Sequence, residues 1–229
     1  MVWTSGAVAK FEPTRDFLER LRRHLTKKRD ELGRELTSTI QLDREQLTLD
    51  DGTSVVGGSI FDQWVNFPYE IVENNGVYSV EKRERVDTRW TKFWLTTRSI
   101  VIIETPDAKN FAIHALNQSI GLGANFIRPV VLNVNRIAED FRGQWYGSLS
   151  GRAGNVHTGS FYGDEIEDDA DFGRGYSSAR GKTAVGISSD FFGIRTKVKL
   201  TRSGTVIVFA KVEIPRFIEF VKTVALPYA

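Results

Sequence analysis

The chain is predicted to be an α+β protein with a mainly antiparallel sheet, and three observations carry that prediction. First, one pattern occurs twice: Lys-Phe-Trp-Leu-Thr-Thr-Arg-Ser at 92–99 runs into the apolar 100–103, and Lys-Val-Lys-Leu-Thr-Arg-Ser-Gly at 197–204 runs into 206–209. Each copy reads as strand, turn, strand, and each precedes an amphipathic stretch opened by proline, at 106–120 and 215–226, so the repeated unit is β-β-α. Second, the hydrophobic period changes from helical to alternating along the chain. Third, 229 residues of 41% hydrophobic content supply a core without disulfides or metals.

The first element expected is an amphipathic helix over 14–36. Phe17, Leu18, Leu21, Leu25, Leu32 and Leu36 recur at steps of three and four, Thr14 after Pro13 is an N-cap candidate, and Asp16 suits the first turn. Its other face is basic, with Arg15, Arg20, Arg22, Arg23, Lys27, Lys28, Arg29 and Arg34 partly neutralised by Glu31 and Glu35. From 40 to 104 the pattern is mostly strand, and Asp-Asp-Gly at 50–52 and Asn-Asn-Gly at 74–76 are hairpin signals. A second helix starts at Pro106, capped by Thr105, with Ala108, Phe111, Ala112, Ala115 and Ile120 on one face and Gly121 as its stop. A short helix at 135–141 and strands at 144–150 and 156–162 come next, then a polar loop at 163–182. Strands at 184–188, 194–200 and 206–212 precede the closing helix from Pro215. The expectation is one α+β domain over 1–229, with internal halves 40–121 and 142–229, both repeat helices on one face of the sheet and the helix 14–36 as an added layer.

Charge narrows the function classes. With 31 basic and 29 acidic residues the net charge is +2, so any nucleic-acid binding depends on a local patch. The chain has no cysteine, which excludes disulfides, thiolate zinc sites and a cysteine nucleophile. Residues 1–10 lack the charged start and long apolar stretch of a secretory signal, and no span of about eighteen apolar residues occurs. A cytoplasmic protein with no membrane partner is expected.

No motif names a chemistry. Gly-Tyr-Ser-Ser-Ala-Arg-Gly-Lys-Thr at 175–183 looks like a phosphate loop but has one residue too many between its glycines and no preceding apolar strand. Asp-Phe-Gly at 171–173 lacks the other kinase signatures. His24, His114 and His157 fall in different elements with no ligand partner at metal-binding spacing. No cofactor and no catalytic set is assigned.

Three function classes remain. The leading one is a non-enzymatic binding protein with nucleic acid as the first candidate ligand. Arg83, Arg85, Arg89 and Lys92 lie beside Trp90 and Trp94, a composition suited to holding phosphates while stacking bases, and the basic face of the helix 14–36 and Arg174, Arg180 and Lys182 in the polar loop are the further basic contacts. The competing reading of the same stretch puts its aromatics in the core and its arginines on a solvated face. The second class is a self-associating structural subunit. The third is a metal-dependent hydrolase using the acidic run 164–171, with Asp168, Asp169 and Asp171 as candidate ligands.

Overall fold

Alternation along one central strand sets the architecture, because successive side chains of a strand point to opposite faces. The computed structural model describes residues 4–13, 16–22, 25–29, 33–97, 99–120, 126–150, 157–179 and 181–229, apart from the side chains of Thr26 and Lys28. The first part of the chain forms β1 (Thr4–Lys10), α1 (Phe17–Arg22), β2 (Leu25–Arg29), β3 (Glu35–Thr48), β4 (Ser54–Asn66), β5 (Tyr69–Asn74), β6 (Val77–Lys82), β7 (Arg85–Thr96) and β8 (Ile100–Ile103). The second part forms α2 (Lys109–Ile120), β9 (Arg128–Pro129), α3 (Val134–Asp140), β10 (Gln144–Ser150), β11 (Thr158–Tyr162), α4 (Gly173–Ser177), β12 (Lys182–Asp190), β13 (Arg195–Thr201), β14 (Thr205–Val208) and α5 (Ile214–Phe220).

The fold is mixed, with a large antiparallel sheet and a small one. Among the described residues twelve strands form the large sheet, in the order β11-β10-β12-β13-β14-β1-β8-β7-β4-β3-β2, with β9 also pairing β1. β5 and β6 form a separate two-stranded sheet. The turns expected at 50–52 and 74–76 close β3–β4 and β5–β6, and Asn75 and Gly76 both take positive φ, at 53° and 78°, the primed-turn geometry that matches strand twist.

β1 lies between β14 and β8, so it contributes to two cores. Ala7 and Ala9 face a cluster with Val101, Ile103, Phe93, Leu95, Ile40 and Ile60, closed by Phe17 and Leu21 of α1 and by Ala112, Leu116 and Ile120 of α2. Val8 faces the other way, with Ile100, Ile102, Trp94, Val198, Leu200, Val206 and Val208 under Phe217, Ile218 and Val221. Each large apolar side chain so covered contributes about 1.5–3 kcal/mol. Close approach on the second face requires Gly6, where an added Cβ would fall 2.5 Å from Ile102 Cγ2 and 3.1 Å from the Phe217 ring. Buried Asn117 ties α2 to the segment before β9: its Nδ2 donates to the Ile127 carbonyl and its Oδ1 accepts the Ile127 amide.

Three expectations change, the first being that the stretch 163–182, expected as a polar loop, holds α4 and buries Ile166 and Tyr176 against Leu149. The two proline-led helices do not share a face: α2 covers one side of the sheet and α5 the other, since the alternating residues of β8 divide between the two cores. Of the helix expected over 14–36, the described residues are helical only at Phe17–Arg22, and Leu25–Arg29 instead pairs with Glu35–Thr39 as the sheet edge. Phe17 and Leu21 are buried as the helical spacing requires, whereas Leu25 is exposed and Leu36 is buried from a strand. Leu32, and Thr14 as a cap, lie outside the described residues. Tertiary contact outweighs helical spacing here: the six-residue helix buries Phe17 and Leu21, and the edge of β3 offers Leu25–Arg29 a hydrogen-bond ladder.

Candidate functional site

β7 pairs with β4 along its whole length, from Val55↔Thr96 to Asn66↔Arg85, so its two faces can be traced without a break. Odd-numbered residues 85–95 lie on the α2 side and even-numbered ones on the α5 side. The residues singled out in this strand are therefore divided. Arg85 and Arg89 belong to one face, and Trp90, Lys92 and Trp94 to the other.

Arg89 is held under α2. Its Nε and Nη2 donate to Asp62 Oδ2 at 3.1 and 2.8 Å, and its guanidinium sits 4.4 Å from the Phe111 ring centroid and 5.2 Å from that of Trp64. Arg85 donates to both oxygens of Asp87, which also accepts from Asn66 Nδ2; these bonds hold the Asp87 carboxyl below its ordinary pKa. Arg83 lies 4.0 Å from both Glu70 and Glu81. These three arginines are occupied by carboxylates.

On the opposite face Trp94 is 8% exposed and belongs to the core, while Trp90 is 56% exposed. The layer supplied by α5 ends at Trp94; beyond it, on the same face, Trp90, Lys92, Leu25, Lys27 and Arg29 are exposed, while Phe61, Ser59 and Thr39 are half-buried and the Asp43 carboxylate lies over Gly57. At the centre of this surface Trp90 stacks on its cross-strand neighbour Phe61, with centroids 6.4 Å apart and planes 23° apart. Lys92 is exposed two residues along the strand, about 7 Å from Trp90, opposite Ser59. Across the sheet, register places Thr39 beside Phe61, Leu25 beside Thr39 and Lys27 beside Thr37, so Lys27 and Arg29 share this face at its far edge, about 14 Å from β7. Lys27 donates to Glu35 at 2.6 Å between two well-exposed side chains, and no carboxylate is within ion-pair distance of Lys92 or Arg29 among the described residues. The arrangement is an aromatic pair with cations on both sides and Ser, Thr and Gln hydroxyls and amides between them.

Phe61 was not distinguishable in the sequence as a member of this surface, and Lys27 and Arg29 were expected as basic contacts from a helix, not from a strand of this sheet. Phe61 reaches Trp90 only through the β4–β7 register, and the two cations only once Leu25–Arg29 is a strand.

The polar loop offers less. Lys182 is buried, and its Nζ donates to the carbonyls of Ser177 and Ala179 at 3.1 and 2.9 Å, closing the end of α4 under the Tyr176 ring. Burial lowers its pKa. It caps the last turn of α4. Arg174 is exposed on α4, remote in the sheet order from β7, and Arg180 lies outside the described residues.

In the acidic run the carboxylates have separate tasks. Glu167 accepts the amides of Gly143 and Gln144, Asp169 accepts those of Asp171 and Phe172 ahead of α4, and Asp168 lies 3.5 Å from Arg142. Among the described residues no group of three or more His, Asp or Glu side chains is placed to hold a metal ion.

Comparison with protein-family models, with curated proteins and with solved structures finds no match. No helix of the described residues is long and apolar enough to cross a membrane.

Proposed function

We propose that the chain is a non-enzymatic binding protein that lays single-stranded nucleic acid across the open face of β7, β4, β3 and β2. The observation that carries this reading is the half-exposed Trp90 stacked on Phe61, with Lys92 beside it on the same face. An aromatic pair on a sheet accepts the π-face of any base, and cations on either side meet the phosphates of a strand crossing it. Lys92 and Arg29 are phosphate contacts, Lys27 joins them when a phosphate displaces Glu35 from it, and Trp90 is the stacking residue. Arg89 and Arg85 take no part, because they point to the other face and are held by Asp62 and Asp87.

Fluorescence anisotropy with short single-stranded DNA and RNA tests this reading. Three phosphate contacts give a slope of about −2 for log affinity against log salt, so binding weakens about fifteenfold between about 50 and 200 mM salt. No binding of either polymer at low salt would end the proposal.

The same architecture supports reading the two β-β-α segments as copies of one unit. β7–β8 with α2 and β13–β14 with α5 lie on either side of β1, and their helices lie on opposite faces, as a half-turn about the β1 axis would place them. On this reading the first copy carries the ligand surface, because the position equivalent to Trp90 in the second copy is Arg195.

A further inference from the structure

β5 and β6 leave the large sheet where β4 ends and return where β7 begins, forming an arm of two strands joined at Asn74-Asn75-Gly76. Their register puts Tyr69 opposite Lys82, Ile71 opposite Val80 and Glu73 opposite Tyr78, so these six side chains form one face. Tyr69, Ile71, Tyr78 and Val80 are between 67% and 77% exposed. A two-stranded ribbon is marginal in water, and four large apolar side chains on one side of it are an unusual surface to leave wet.

The face is ordered by charge as well as by hydrophobicity. Lys82 stands at the base, Glu73 stands near the tip, and Ile71 and Val80 lie midway. A half-turn about an axis that crosses both strands at Ile71 and Val80, in the plane between two stacked faces, brings the Lys82 end of one arm over the Glu73 end of the other. Ile71 and Val80 then each meet their own counterpart at the centre. Lys82 of each arm then faces Tyr78 of the other and lies diagonally from its Glu73, within reach of a long side chain, so the face is complementary to itself in shape and charge, as an isologous contact requires. The acidic groups on the reverse side, Glu70 and Glu81, lie against Arg83 and stay outside such a contact.

We propose that this face is covered by the same face of a second copy of the chain, in a two-fold dimer stacked arm on arm. Two short strands offer less than the about 800 Å² per partner of a standard interface, so the dimer is weak and dependent on concentration, within reach of measurement between about 10 and 1000 μM. The contact does not use Trp90 or Lys92, so it is independent of nucleic-acid binding.

Sedimentation equilibrium of the full chain across that concentration range tests the proposal. The expected result is a monomer–dimer equilibrium that Ile71→Glu weakens at least tenfold, with circular dichroism unchanged because the site is on the surface. Glu73→Lys and Lys82→Glu each weaken the dimer by placing like charges together, and the double variant restores it. A strictly monomeric chain, a dimer indifferent to Ile71→Glu, or a double variant that does not recover would each overturn the arrangement.

Discussion

Arg89 and Asp62 form a cross-strand ion pair in which the carboxylate is buried and the guanidinium is pressed against Phe111 of α2. The pair shows how this sheet allots its charges: an arginine that reads as a ligand contact in the sequence is used to fasten β7, β4 and α2 together.

Removing the carboxylate leaves this arginine without its acceptor. Asp62→Ala is expected to cost about 1–3 kcal/mol, and Arg89→Lys about 1 kcal/mol through loss of the guanidinium fork and its ring contacts. Urea unfolding checks both. An Arg89→Ala chain of unchanged stability but impaired oligonucleotide binding would show that this arginine belongs to the ligand surface after all.

Trp90→Ala is expected to weaken single-strand binding about tenfold or more with little change in stability, because the ring is half outside the core. Lys92→Gln should weaken binding less and reduce the salt slope by about 0.7, the signature of one lost phosphate contact. Anisotropy titrations at several salt concentrations separate the two effects.

Acid should loosen the β3–β4 turn from the helical segment that continues α5. Asp51 accepts the Thr53 amide and the Lys222 ammonium, and hydrogen bonds from Thr53 and Lys222 hold its carboxyl well below its ordinary value of 3.8. A depressed folded pKa means the stabilisation is complete above the unfolded value and is lost as pH falls below it. The urea midpoint should therefore decline between about pH 4 and pH 2, and Asp51→Asn should lower it at neutral pH while flattening that decline.

Gly147 is the point of closest approach between β10 and the buried Tyr176. An alanine Cβ there would lie 2.2 Å from the ring, which is anchored by donation from its hydroxyl to Gln144 Oε1 at 2.7 Å. Gly147→Ala is expected to destabilise by about 1–3 kcal/mol. Tyr176→Phe, which keeps the ring and leaves the Gln144 oxygen without its donor, should cost about 1 kcal/mol. Thermal denaturation of both variants measures the difference.

Local chemistry determined part of this protein from sequence alone. Pro106 and the apolar spacing after it mark the turn that leads into α2, the Asp-Asp-Gly and Asn-Asn-Gly turns mark hairpins, and alternation marks β7, β8, β13 and β14, because each of these signals acts within a few residues. Long-range pairing, by contrast, was decided only by the tertiary structure. Leu25–Arg29 carries helical spacing yet becomes a strand because β3 offers it a ladder, and α2 and α5 take opposite faces because β1 enters between their hairpins. The same holds for the surface. The basic and aromatic composition of 83–94 was legible, but composition does not say which face a residue takes; register with β4 turned Arg89 toward Asp62, sank Trp94 in the core and left Trp90 on Phe61 in the open.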